Sequence, residues 1–207
     1  MLNLKSMLQQ ATFVLSAPDI RGLPKDCGSE VALIGRSNAG KSSGLNALTQ
    51  QKKLAKISKT PGRTQLINVF NINSDIRIID LPGYGFAKVP IKVKEKWQVT
   101  INEYLLKRKC LNGLVILMDI RLPLQDLDIN MLQWAHQQKL KILILLTKAD
   151  KLKRGAAMNA KLFVIKRLVE IIGVNSIQVV VFSAHKHVGV DESISVLSGW
   201  FGCAIKS

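Results

Sequence analysis

The chain has 207 residues, with 30 Lys and Arg against 14 Asp and Glu, a net charge of +16. That length suits one full domain, and 47% apolar residues with only 5% aromatics imply a core of Ile, Leu and Val. The charge favours a polyanionic partner, nucleic acid before an anionic membrane surface. Cys27, Cys110 and Cys203 lie far apart without a C-x-x-C pair, which argues against a zinc site or a disulfide framework and fits a reducing cytosol.

Met1–Thr12 is polar and lacks the apolar core of a secretion signal. Residues 1–22 are expected to pack on a domain of residues 23–207, with a strand over Ala11–Ser16. Val31–Ile34 is a predicted strand and Lys41–Gln50 a predicted helix. Leu66–Ile72 is a strand that meets Ile76–Leu81 across the turn Asn73-Ser74-Asp75, so this pair should be antiparallel. A helix over Val93–Arg108, a strand over Leu114–Ile120, a helix over Leu127–Gln138 and a strand over Ile142–Leu146 follow. The series closes with a helix over Ala156–Ile172, a strand over Val179–Phe182 and a helix over Asp191–Trp200. Most of the strands are short runs apolar on both faces, as buried parallel strands are. The expected class is α/β: a three-layer sandwich with a mostly parallel sheet, one antiparallel strand pair and helices on both faces. No apolar run reaches the ~18 residues of a membrane span, so no membrane insertion and a cytoplasmic location are expected.

Gly35-Arg36-Ser37-Asn38-Ala39-Gly40-Lys41-Ser42 matches G-x-x-x-x-G-K-S between a strand and a helix. Glycines let backbone N–H groups turn around a phosphate, and the helix N-terminus adds a favourable dipole. Lys41 would reach the β- and γ-phosphates, and Ser42 would ligate Mg²⁺. Asp80-Leu81-Pro82-Gly83 ends the strand Ile76–Leu81; a carboxylate there holds Mg²⁺, usually through water, and the glycine N–H can contact the γ-phosphate. Thr147-Lys148-Ala149-Asp150 resembles N-K-x-D, with Thr in place of the usual Asn. The Asp150 carboxylate could accept from guanine's ring N–H and amine together, which adenine cannot offer. Lys148 would lay its stem along the base. Phe182-Ser183-Ala184 ends the next strand, where a backbone N–H would meet the guanine carbonyl. Gly44 is unusual one turn into a helix, at about 1 kcal/mol against Ala.

Residues 35–43, Ser-Lys-Thr-Pro-Gly-Arg-Thr-Gln at 58–65, Asp-Leu-Pro-Gly-Tyr-Gly at 80–85, Leu-Met-Asp-Ile-Arg-Leu-Pro-Leu at 117–124 and Thr-Lys-Ala-Asp at 147–150 together resemble the EngB/YihA/YsxC family of bacterial GTPases. The likeness runs from about Phe13 to Phe201. It implies a Ras-like P-loop GTPase fold, GTP and GDP binding, Mg²⁺, and a role in assembly of the large ribosomal subunit and its rRNA. Family members are also described as needed for cell division and septation. The resemblance adds Ser43 and the switch segment Gly62, Arg63, Thr64, Gln65 and Leu66 to the nucleotide site. It makes Thr64, rather than Thr60, the threonine that ligates Mg²⁺ beside Ser42 and Asp80.

Tyr84 stands where many GTPases carry the Gln that orients the attacking water. Slow hydrolysis by the chain alone is expected, with the missing acceleration coming from a partner's cation or from K⁺. Asn38 is either a loop residue tolerant of unusual backbone angles or, as in related GTPases, a ligand for that K⁺ beside the catalytic Lys41. Residues 31–74 contain no acid and seven bases, and 151–169 contain no acid and six bases. These clusters flank the switch segments, which suits an rRNA surface of a large-subunit precursor read by shape. A monomer is expected.

Overall fold

The computed structural model describes residues 3–56, 66–84, 91–173 and 177–202, with backbone alone over 91–98. Helix α1 is Leu4–Gln9 and strand β1 is Thr12–Ala17; β2 is Ser29–Gly35 and α2 is Lys41–Leu48. Strands β3 (Ile67–Asn71) and β4 (Ile76–Asp80) precede α3 (Ile91–Lys107) and β5 (Leu111–Asp119). Then come α4 (Asp126–Gln137), β6 (Lys141–Thr147), α5 (Arg154–Ile172), β7 (Gln178–Val181) and α6 (Val190–Phe201). The sheet has seven strands in the order β1-β3-β4-β2-β5-β6-β7. Only β3 runs against the rest, pairing antiparallel with both β1 and β4. The hairpin turn is tied by Asn73, whose carboxamide oxygen accepts from the Asp75 and Ile76 N–H groups at 2.9 and 2.7 Å.

Strand side chains alternate into two buried clusters. Ala32, Ile34, Leu114, Ile116, Ile144 and Leu146 face a layer of α3, α4 and α5. Val31, Leu33, Val115, Leu117, Leu143 and Leu145 face α1, α2 and α6. A sheet covered on both faces needs apolar residues at every position, and the runs that predicted the central strands have them. Boundaries differ from the sequence reading by one to three residues, most at β5, which begins at Leu111 rather than Leu114.

Helix α1 lies in the segment read as polar. Asn3 caps it by accepting from the Ser6 N–H at 2.9 Å. Leu4 and Leu8, one turn apart, are buried with the α2 and α6 side chains.

At the end of the sheet opposite the phosphate loop, Glu30, the second residue of β2, is fully buried. Its carboxylate accepts from Arg77 Nε at 2.8 Å, Arg108 Nη2 at 2.7 Å and Tyr104 Oη at 3.0 Å. Burial pushes the Glu30 carboxyl up, but the Arg108 hydrogen bond and charge, with Arg77 and Tyr104, hold it below the ordinary glutamate value.

Candidate functional site

The parallel strands end along one edge, the place where open α/β sheets hold ligands. Register sets Asp80 beside Leu33 and Gly35 beside Leu117. It also sets Asp119 beside Thr147.

Gly35 has no room for a side chain: a Cβ there would come 2.4 Å from the Leu117 carbonyl oxygen. The loop then turns through Asn38 (φ 61°) and Gly40 (φ 97°) into α2. Among the described residues no side chain caps this helix, which leaves its first-turn N–H groups for a ligand or solvent. Gly44 is explained by packing, since a Cβ would sit 2.9 Å from Leu117 Cδ2 where α2 crosses β5. Arg36 and Ser37 are half-buried and Asn38 is exposed.

Lys41 and Asp80 face one another across the loop. Burial draws the Lys41 ammonium down and the Asp80 charge opposes that. Burial raises the Asp80 carboxyl, while Lys41 and a hydrogen bond from Asn68, its partner on β3, oppose the rise. Asp80 Oδ1 is buried and meets no hydrogen-bond partner among the described residues. Leu81 donates its N–H to Leu33 at 3.1 Å, and Pro82-Gly83 carry the chain onto the phosphate loop. Tyr84 donates its N–H to the Gly35 carbonyl at 3.2 Å and accepts from the Ser37 N–H at 2.8 Å. Its hydroxyl donates to Asp128 Oδ1 at 2.6 Å.

Thr147 is buried, and its Oγ1 lies 2.6 Å from the Ala39 carbonyl and 3.0 Å from that of Met118. The threonine therefore ties the end of β6 to the phosphate loop. Lys148 takes a left-handed backbone (φ 59°) and sets Nζ 3.0 Å from Asp119 Oδ2. Burial raises the Asp119 carboxyl, but Arg121 and Lys148 bind it and hold it far below the ordinary range. Ala149 donates its N–H to the Phe182 carbonyl at 3.1 Å, joining the two loops. Asp150 Oδ1 accepts from Ser183 Oγ at 2.7 Å, which lowers its carboxyl and keeps it ionised near neutrality. Ser43 and Ala184 also line a cleft of about 720 Å³ that runs toward α1 and α6 past Lys52, His185 and His187.

A family model described as a 50S ribosome-binding GTPase matches residues 30–148. The probable GTP-binding protein EngB of Vibrio vulnificus (strain YJ016) is 54% identical over 204 residues, covering 99% of this chain and 94% of its own. The chain belongs to the EngB family of GTPases. A second EngB relative, from Salmonella paratyphi C (strain RKS4594), is 56% identical over 193 residues, covering 93% of this chain and 91% of its own. The crystal structure of a probable EngB shares the fold at TM-score 0.66 and 22% identity, over 84% of this chain and 99% of that one. Aquifex aeolicus Era, crystallised with GDP and AlF4⁻, shares it at TM-score 0.60 and 21% identity, over 87% of this chain and 58% of that one.

Of the residues that the EngB resemblance singles out, those at 35–43, 80–83, 147–150 and 182–184 converge on one edge. Gly62, Arg63, Thr64 and Gln65 lie outside the described residues, as does Thr60. Leu66 is exposed just before β3. Sequence reasoning missed two groups here. Asp119 stood in a quoted family motif without a role, although its place at a strand end beside Thr147 was the available signal. Asp128 carried no signal at all, because it reaches Tyr84 only through the packing of α4.

Proposed function

We propose that this EngB-family chain hydrolyses GTP as a molecular switch in assembly of the large ribosomal subunit, and that this underlies a need for it in normal cell division and septation. The observation that carries the nucleotide reading is the Thr147–Ala39 hydrogen bond of 2.6 Å. It holds a phosphate-type loop and a base-type carboxylate in one rigid unit, spaced by the sheet. Residues 35–43 would cradle the β- and γ-phosphates with backbone N–H groups, and Lys41 would neutralise them. Asp150, oriented by Ser183, would accept from guanine's two donors. The Ser183 N–H already donates to Val188, which leaves the task of meeting the guanine carbonyl to Ala184.

The buried, unpartnered Asp80 Oδ1 fits a cation. Asp80, through water, and Ser42 would hold Mg²⁺ together with Thr64. The ion would supply charge stabilisation at the phosphates when bound.

Tyr84 turns its hydroxyl to Asp128 and so offers no group to orient water. Slow unaided hydrolysis follows from that, with an outside cation meeting the developing charge. The same observation favours a second reading, a guanine-nucleotide sensor in cell division that does not turn over. Hydrolysis measured with large-subunit precursors separates the two: a rate above the protein-free control sinks the sensor.

Asn38, exposed in the loop, is a proposed K⁺ ligand. GTP hydrolysis should rise about tenfold or more when K⁺ replaces Na⁺ at constant ionic strength. Asn38→Ala should erase that difference and spare GDP binding. Equal rates in the two salts, with and without ribosomal subunits, would remove the potassium reading.

The proposed partner is a large-subunit precursor and its rRNA, met by a cytoplasmic monomer. A charge of +16 opposes self-association. Lys52, Lys53 and Lys56 are exposed beside the switch segment. Sedimentation with ribosomal subunits should show binding with GTP and release with GDP. Binding should fall roughly log-linearly with salt, and Lys→Glu changes at these three positions should weaken it several-fold while GDP affinity holds. Binding indifferent to salt would point to an apolar protein contact instead.

A further inference from the structure

Helix α5 carries two apolar rows. Ala157, Val164 and Leu168 are buried and form its core face. At 3.6 residues per turn, the second row lies about 110° round the helix from the first. Met158, Leu162, Ile165 and Val169 form it, within an arc of about 60°. Their exposures are 48%, 58%, 37% and 40%, so among the described residues no element covers them. Single exposed apolar residues are ordinary on a soluble protein, whereas a contiguous row marks a surface that meets something.

The row is spaced by four, three and four residues. That is the spacing of a heptad seam, with Leu162 and Val169 at a and Met158 and Ile165 at d. Ile172, half-buried, continues it as the next d. The flanking g and e places are Lys161 and Lys166, and in such seams these places choose the partner. No acid occurs from residue 151 to 169, and Glu170 is paired with Arg167. Lys161 shares Glu192 of α6 at 3.5 Å, a part-exposed pair of small worth that a docked carboxylate can replace.

A second copy of the chain fits this seam poorly. Parallel self-pairing would set Lys161 against Lys166, and antiparallel pairing would set each lysine against its own copy. A lipid surface also fits poorly, because interfacial helices bury a broad apolar face. Here the row is narrow, and Phe163 is parted from it by Lys166 and Asn159 round the helix.

We propose that the exposed seam of α5 is a docking site for an acidic amphipathic helix of another protein. That helix would bring apolar residues at its own a and d places and Asp or Glu beside them, to meet Lys161 and Lys166. The contact is separate from the nucleotide edge and from the lysines at 52, 53 and 56. It gives the chain a protein-reading surface beside its polyanion-reading one.

The probe is a labelled synthetic peptide of about three heptads, with Ile and Leu at a and d and Glu at e and g. Fluorescence anisotropy with the full chain should show it binding about tenfold or more tightly than the same peptide with Lys at e and g. Leu162→Asp, an exposed change, should weaken the acidic peptide about tenfold or more, with melting temperature and GDP affinity unchanged. Lys166→Glu should narrow the preference between the two peptides. Equal binding of both peptides, or acidic-peptide binding indifferent to Leu162→Asp, overturns the proposal. So does self-association of the parent that Leu162→Asp abolishes, which would make a second copy the occupant. Leu162-dependent binding to vesicles of phosphatidylcholine and phosphatidylglycerol, with no binding of the acidic peptide, would assign the seam to a lipid surface instead.

Discussion

Asp150→Asn should weaken GTP and GDP binding by roughly 10²–10⁴-fold, as two hydrogen bonds to a charged acceptor are lost. The magnitude follows from what replaces the carboxylate. Asp150 is ionised, and Ser183 Oγ occupies one lone pair of Oδ1, which sets the plane of the group. An amide in the same place can present one acceptor and one donor, and the donor faces guanine's own donors. A xanthine ring carries a carbonyl where guanine carries its amine, so the amide's N–H finds an acceptor there. The variant should then bind xanthosine nucleotides more tightly than the parent does. Calorimetric titration with guanosine and xanthosine diphosphates checks both arms. Guanosine affinity unchanged within about threefold would take Asp150 out of the base site.

Glu30→Gln should lower stability by about 3–5 kcal/mol, the usual result of removing one partner from a buried charge cluster. Arg77 and Arg108 are both nearly buried around it, with side-chain exposures of 8% and 7%. Without the carboxylate their guanidinium groups lose their main acceptor. The pH dependence has a definite sign. The folded carboxyl lies below the ordinary glutamate value of 4.5, so its stabilisation is complete above that value and is lost as pH falls through the folded value. Urea unfolding at pH 7 should show the loss, and the gap between parent and variant should narrow as pH falls below 4.5. A gap that stayed constant with pH would assign the effect to packing rather than to charge.

The contrast between these two residues explains what the sequence could reveal. Asp150 was legible because its chemistry is local: a strand end, a four-residue motif and an order along the chain. The phosphate loop was legible for the same reason, as Gly35, Gly40 and Lys41 answer to the backbone within eight residues. Glu30 was invisible because the predicted strand began after it, at Val31, and because its partners come from β4 (Arg77) and from α3 and its end (Tyr104, Arg108). Helix α1 was missed because two leucines one turn apart do not make a periodic pattern in six residues. The replacement of the usual Asn by Thr147 was legible by type, but what its side chain does was not. Its hydroxyl reaches the Ala39 carbonyl, 108 residues earlier in the chain, an approach that no single segment encodes.

Asn46 lies buried on α2 and grips the turn that follows the helix. Its amide nitrogen donates to the Lys52 and Ala55 carbonyls at 3.2 and 3.0 Å, and its oxygen accepts from the Ala55 N–H at 2.7 Å. Residues 52–55 therefore belong mechanically to α2 and not to the segment after them. Lys52 and Lys53 ride on the same rigid lever whose other end is the phosphate loop. A polyanion touching them would meet charges held to the helix that opens at the phosphate loop. Nucleotide control over such a contact would have to act through the remaining charges, so release with GDP requires that these lysines alone be too weak an anchor.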